Sequence, residues 1–212
     1  MTAADGRVLS VNLGQARPLR VPTSSGGRNV MSGIGKRGVE GDVQVRRLGL
    51  VHVAPDGDPA GRERADEQAD PTVHGGIDKA VYAYPGEHYA FWRTVRAQAK
   101  VSLWDEALPP GFMGENLTLE GVAESDVWVG DLLRFPRCEL AVAGPRQPCF
   151  KFNAVMGFSQ ASKLMAQSGW CGFYLAVRSA GTIAAGERFE IVPGAREVGI
   201  PELFRAQMRR GG

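Results

Sequence analysis

The chain has 212 residues, with 28 Gly, 13 Pro, 43% hydrophobic and 23% charged residues. That supports one buried core, and it excludes a disordered or collagen-like chain, because the glycines follow no period. Twenty-five basic against twenty-three acidic residues leave a net charge of +2, too balanced for a partner that is a nucleic-acid polymer, which calls for a clustered basic face. In chain order, Val8–Leu13 alternates as a strand, a Ser/Gly loop covers Thr23–Gly27, and Val43–Leu48 alternates again. His52–Asp70 is polar and rich in Gly and Pro, and reads as a long surface loop. Ala80–Tyr84 is a short strand, and Pro85 suits the first turn of a helix running to about Lys100. Asn116–Leu119 looks extended. Val127–Val129 and Leu132–Phe135 flank the turn dipeptide Gly130-Asp131, and Cys138–Ala143 alternates. Asn153–Ser168 is helical but broken at Gly157. Phe173–Val177 and Arg188–Val192 are strands joined by a turn containing Gly181, and Ile200–Arg210 is a small amphipathic helix. Many short strands with few helices predict a mainly β fold closed into a β-barrel.

No secretory signal is visible. The longest uncharged stretch near the C-terminus, Leu164–Val177, is shorter than the roughly 17 residues a membrane span needs. Three cysteines, Cys138, Cys149 and Cys171, are too few and too widely spaced for a disulfide framework. A soluble, cytoplasmic protein with no membrane partner is expected. Gly33-Ile34-Gly35-Lys36-Arg37-Gly38 matches a dinucleotide fingerprint, but the residues after it have strand periodicity where that fold needs a helix. The fingerprint is rejected, with Lys36 and Arg37 kept as candidate anion ligands. His52, His74 and His88 make no zinc pattern, and His88 reads as a surface or core-edge residue. His74 precedes Gly75-Gly76, where backbone can approach a ligand closely, although a plain turn accounts for it equally.

Cys149 lies in Gly144-Pro145-Arg146-Gln147-Pro148-Cys149-Phe150-Lys151. Arg146 and Lys151 favour the thiolate, the form that attacks electrophiles or binds soft metals. The alternative is a buried structural thiol, and the residues alone leave both open. In Gly111–Thr118, Glu115 and Asn116 offer polar groups between the apolar anchors Phe112 and Leu117, or simply form a glycine turn with an Asn cap.

Taken together and in order, Val73-His74-Gly75-Gly76-Ile77-Asp78-Lys79-Ala80-Val81-Tyr82, Tyr84–Tyr89, Gly111–Thr118, Val129-Gly130-Asp131 and Pro145–Lys151 resemble the MOSC domain, and in particular its YiiM-like branch. That domain is named for the C-terminal domain of molybdenum cofactor sulfurase. The resemblance spans residues 8–193, expected as one barrel domain of the pyruvate-kinase-barrel kind, with 194–212 as a short helical tail. It implies the molybdenum cofactor (molybdenum–molybdopterin), with Cys149 as catalytic residue and protein ligand to the metal. Lys36, Arg47, Arg146 and Lys151 would serve the pterin phosphate; His74, Gly75, Lys79, Asn116 and Gln147 would position pterin or substrate, and Glu115 would orient a basic partner. Pyridoxal phosphate is set aside, because Lys79 and Lys151 bring no identifiable partner for a pyridine ring.

The implied activity is reduction of small N-hydroxylated molecules, such as hydroxylaminopurines, to amines. Three scattered cysteines cannot ligate an iron–sulfur cluster, so electrons must come from an external reductase. The alternative is a sulfur-carrier or cofactor-delivery module working through a Cys149 persulfide or thiolate. Two departures stand out: an insertion near Val51–Ala65, expected to extend one barrel rim, and a C-terminal helical module shorter than is usual for the branch. Side chains added at Gly75 or Gly114 are expected to harm cofactor binding more than one added at Gly181.

Overall fold

The protein is described here from a computed structural model covering residues 5–24, 26–53, 63–67 and 76–210. The chain opens with β1 (Asp5–Gly14), β2 (Arg17–Thr23), β3 (Gly26–Ser32), β4 (Lys36–Val39), β5 (Val43–Arg46), β6 (Gly49–His52) and β7 (Arg64–Ala65). It continues through β8 (Val81–Pro85), α1 (Tyr89–Gln98), β9 (Leu117–Glu120), β10 (Leu132–Arg134) and β11 (Glu139–Pro145). It ends with α2 (Phe150–Met156), α3 (Ala161–Ser168), β12 (Phe173–Ser179), β13 (Gly181–Ile183), β14 (Arg188–Val192) and α4 (Ile200–Arg210).

Seven strands close a barrel in the order β14-β10-β11-β12-β8-β9-β1, with β1 returning to β14 through Gly6 opposite Phe189. Every pairing is antiparallel except β8 with β9, where Ala83 faces Leu117. A parallel pair needs a crossover between its strands, and α1 supplies it. A register shift between Val8 and Ser10 marks a bulge in β1. Beyond it, Val11–Gly14 pairs with β4 outside the ring. The hairpin β2–β3 stands apart as a two-stranded ribbon, and β13-β5-β6-β7 form a smaller sheet.

Both faces of β8 and β12 are covered. Val81 and Ala83, with Phe173 and Leu175, belong to the aliphatic cluster that fills the barrel. Their neighbours Tyr82, Tyr84 and Tyr174 point outward, under a layer formed by Trp92 of α1, Phe152 and Met156 of α2, Met165 of α3 and Phe204 of α4. Period-two alternation thus gives one strand two dry faces of different chemistry.

The mainly β barrel, with four short helices among the described residues, agrees with the sequence reading, and Ile200–Arg210 is helical as predicted. Gly157 breaks the helical stretch by ending α2 in the left-handed conformation, at φ 82°. Four details differ. Pro85 closes β8 instead of starting the helix, and a 3-10 turn over Gly86–His88 separates it from α1. Gly181 is no turn residue: it begins β13 and pairs with Val45. It lies so close to the Arg137 carbonyl that a Cβ would sit 1.8 Å from that oxygen. Val127–Val129 is not a hairpin arm; Trp128 bridges Gly199, while β10 pairs with β11 and β14. The polar loop after His52 includes the two-residue strand β7 against β6. Most of the predicted insertion lies outside the described residues.

Candidate functional site

The helix-covered side of the barrel opens into a cleft of about 610 Å³, including space open to solvent, into which Cys149 projects. Its walls come from six segments: Ser32–Ile34 after β3, Lys36 of β4, Asp66-Glu67 after β7, Lys79 with Tyr82, Gly114 with Asn116, and Arg146, Cys149 and Lys151 around the start of α2, facing Tyr174. Cys149 caps α2 in an extended conformation, φ −135° and ψ 163°. Its carbonyl accepts hydrogen bonds from Phe152 N–H at 3.0 Å and from Ser162 Oγ at 2.8 Å. Pro145 ends β11 and Pro148 suits the irregular stretch before α2, so the backbone is pinned and the thiol is left partly exposed. Cys138 and Cys171 differ: both are buried, and burial pushes the Cys138 thiol up to about 12 and the Cys171 thiol well above its usual value. They are structural thiols.

Arg146 is buried between two rings, its guanidinium carbon 5.1 Å from the Tyr82 centroid and 5.2 Å from that of Phe152. No carboxylate pairs with it among the described residues. Burial by itself would lower its pKa, but the facing Tyr82 and Tyr174 oxygens and the Cys149 sulfur outweigh that and hold it above the usual guanidinium value. The cleft therefore has a fixed positive charge in its wall. Lys36 contributes little to it: its Nζ lies 2.5 Å from both Asp66 carboxylate oxygens, and both side chains are buried. Asp66 Oδ1 also accepts Gly14 N–H at 2.9 Å. Lys151 Nζ donates to the Met31 carbonyl at 3.0 Å, tying α2 to the hairpin, and Lys79 lies over the Tyr174 ring at 5.8 Å.

Asn116 lines the cleft, and Glu115 acts from behind it. Asn116 Oδ1 accepts Tyr82 N–H at 3.1 Å, and its Nδ2 donates to the Asn12 carbonyl at 3.2 Å, so its amide links β8 to β1. Glu115 is buried below the cleft and does not line it. Its Oε1 accepts the Tyr89 hydroxyl, Gly111 N–H at 2.8 Å and the Thr118 hydroxyl at 2.7 Å, while Oε2 has no partner. Desolvation raises its carboxyl pKa against those hydrogen bonds. Glu115 therefore orders the Gly111–Asn116 loop, and no basic partner faces it among the described residues.

The structure thus brings Lys36, Lys79, Asn116, Arg146, Cys149 and Lys151 to one cleft. Arg47 is exposed on the turn between β5 and β6, away from it. Gln147 turns toward α4, where its Nε2 donates to Gln207 Oε1 at 3.2 Å. His74 and Gly75 lie outside the described residues. His88 is the core-edge residue of the two alternatives: it is buried, 2.9 Å from Glu124 Oε2, and stacked on Trp170 at 4.6 Å. Sequence reasoning missed Tyr82 and Tyr174 as walls and Asp66 as the partner of Lys36. The tyrosines had a signal, since they alternate with small or aliphatic residues that fill the barrel. The Lys36–Asp66 pairing had none, because a polar segment without periodicity separates the two.

Among the described residues no three His, Cys, Asp or Glu side chains could jointly hold a metal ion. A metal arriving with its own chelating ligands needs only one protein thiol and counter-charge for its anionic parts, and Cys149 beside Arg146 and Lys151 fits that demand. No helix among the described residues is long and apolar enough to cross a membrane.

Fold and site together define a β-barrel protein with one accessible thiol in a cation-lined cleft outside the barrel. The family model described as the MOSC domain matches residues 70–190, and the chain belongs to that family, whose domains are associated with the molybdenum cofactor. The chain is 34% identical to Protein YiiM of Escherichia coli (strain K12) over 172 residues, 81% of this chain and 68% of that one. It superposes on the crystal structure of YiiM from Geobacillus stearothermophilus with a TM-score of 0.69 at 26% identity, covering 97% of this chain and 85% of the other. A protein named Reductase from Gibberella moniliformis is 28% identical over 179 residues, 84% of this chain but 28% of its own length.

Proposed function

We propose that the protein is a molybdenum-cofactor-dependent reductase that converts small N-hydroxylated compounds, such as hydroxylaminopurines, to amines with electrons from an external donor. The observation that carries this reading is the placement of Cys149, as the one accessible thiol among the described residues, in a cleft whose wall holds the unpaired cation Arg146. The family association and the reductase-named relative support it.

Cys149 would ligate the metal, and Arg146, Lys151 and Lys79 would hold the cofactor's anionic end. The bound centre supplies two-electron oxygen abstraction: R–NH–OH, two electrons and two protons become R–NH₂ and water. Lys36 is neutralised by Asp66 and shapes the wall instead of binding phosphate. The outward rings of Tyr82 and Tyr174 give a flat base a surface to pack on. Burial raises the Tyr82 phenol far above its usual pKa, so it stays a neutral wall.

The test is metal analysis of wild type and Cys149→Ser, both purified from a molybdenum-competent host, with N-hydroxyadenine reduction driven by a chemical reductant. Stoichiometric molybdenum and turnover in wild type, both lost in the variant, are expected. Equal molybdenum and activity in the two proteins would sink the assignment.

A further inference from the structure

Residues 6–39 hold six Lys or Arg and no Asp or Glu, in a chain whose net charge is only +2. Arg7 pairs with Glu120, and Lys36 pairs with Asp66. Arg17, Arg20, Arg28 and Arg37 are exposed, and no carboxylate pairs with them among the described residues. Three of these four arginines lie on the β2–β3 ribbon. Its register places Arg17, Leu19, Val21, Val30 and Arg28 on one face, and Pro18, Arg20, Asn29 and Met31 on the other. Val21 is buried and Arg28 lies over the Phe150 ring at 5.8 Å, so the first face rests on α2. The second is open: Met31 is 50% exposed, and Phe150 at the ribbon's flank is 47% exposed.

The ribbon also joins the mouth of the cleft. β3 runs from Met31 directly into Ser32–Ile34 of the cleft wall, and Lys151, another wall residue, holds the Met31 carbonyl. Anything seated on the open face therefore sits beside the entrance to Cys149.

We propose that this arginine ribbon is the docking surface for an acidic electron-donor protein of flavodoxin-like charge. This rests on the reductase reading, which needs two electrons per substrate; the donor's reduced flavin is oxidised by the same two electrons. Arg20 lies on the open face with Met31, and Arg17 and Arg28 stay exposed on the other side, Arg28 over Phe150. Arginines beside small apolar areas are typical of protein interfaces, and unpaired exposed cations steer an acidic partner from a distance. A phosphate backbone would give Met31 and Phe150 nothing to bury against. A membrane calls for bulky apolar residues at the ribbon's end, where the described residues Thr23, Ser24, Gly26 and Gly27 are small.

The test uses the full chain without cofactor and a fluorescently labelled acidic flavodoxin, read by anisotropy at 20 and 300 mM salt. Wild type should bind at low salt and lose at least about tenfold in affinity at high salt. Arg17→Glu/Arg20→Glu/Arg28→Glu should lose at least about tenfold at low salt. If that triple variant does not fold, Arg20→Gln/Arg28→Gln should still lose about threefold. In molybdenum-loaded protein, reduction by flavodoxin hydroquinone should slow about tenfold in the variant, while reduction by dithionite stays within about twofold. Equal flavodoxin affinity in wild type and variant overturns the proposal. So does tighter wild-type binding to a single-stranded RNA 20-mer, or to phosphatidylglycerol vesicles, than to flavodoxin. Absence of molybdenum would sink the catalytic reading while leaving the binding measurement intact, so the two failures are distinguishable.

Discussion

Along β8, Val81 and Ala83 enter the barrel while Tyr82 and Tyr84 leave it, and the two sides of that strand have different jobs. The inner cluster is aliphatic and phenylalanine-rich, and Cys138 is its one titratable member. The outer layer is tyrosine, tryptophan and methionine around polar groups that are themselves buried: Arg146, Glu115 and the His88–Glu124 pair. Apolar burial stabilises in proportion to area and tolerates no voids or overpacking. Buried charge stabilises little by itself and is kept where it does something else. Substitutions at closely packed or counter-charged positions should therefore register as lost stability, and removal of the outer layer's unpaired cation as lost binding with the fold intact.

The sharpest loss of stability is expected for Gly181→Ala, on β13 of the smaller sheet. The new Cβ would collide with the Arg137 carbonyl, and Gly181 cannot retreat from it without disturbing the β13–β5 pairing. A loss of about 4 kcal/mol or more in urea denaturation is expected. Gly114→Ala, on the cleft, puts a Cβ 2.7 Å from Ile34 Cγ1 at φ +87°. It should cost about 1–3 kcal/mol and narrow the cleft. The ranking anticipated from sequence concerns cofactor binding, and the structure separates the two positions by another property: Gly181 governs folding, whereas Gly114 can affect binding while the protein stays folded.

Next in size is Asp66→Asn, which leaves the buried Lys36 ammonium without its counter-charge. About 3 kcal/mol should be lost. Glu120→Gln, which breaks the half-exposed pair with Arg7, should lose less than about 1 kcal/mol in the same urea titration. Equal losses would remove the distinction between cleft wall and surface. Arg146→Met should then change stability by about 1 kcal/mol or less, since a methionine fills the space between Tyr82 and Phe152 without a buried charge. Bound molybdenum, measured by plasma mass spectrometry, should fall about tenfold or more. Unchanged metal content would show that the unpaired cation is structural.

The same contrast decides what could be read from sequence. Strand alternation and the turn glycines are local, so the barrel strands and the break at Gly157 were legible. Cys149 was legible because its two prolines and two cations are near neighbours in sequence. Gly181 looked like a turn because its constraint, the Arg137 carbonyl, arrives from a strand connection more than forty residues away. Asp66 went unseen as the partner of Lys36 for the same reason. Asn116 was visible as a polar residue near the site, but its amide is occupied by the Tyr82 and Asn12 backbones, a use that only the meeting of β8 and β1 reveals.

Glu115 gives the smallest effect and the finest discrimination between the two regions. One of its oxygens is held by three donors and the other has none, and with no cation facing it among the described residues its burial makes the charged form costly. Desolvation raises its pKa above the unfolded value of about 4.3. As pH rises through that value the unfolded chain loses its proton first, so the contribution of Glu115 to stability declines until the folded pKa is passed. Glu115→Gln keeps an acceptor at Oε1 and has no proton to lose. Its amide nitrogen carries a cost at the Oε2 position, but that cost is the same at every pH. Tyr89, in contact with Glu115, stays a neutral phenol across the range, because burial raises its pKa further. The stability difference, variant minus wild type, should therefore be flat below about pH 4 and grow in the variant's favour above it. Parallel urea-midpoint profiles from pH 3 to 8 would mean that Glu115 is ionised in the folded protein. The outer layer would then hold a second fixed charge below the cleft, opposite in sign to Arg146.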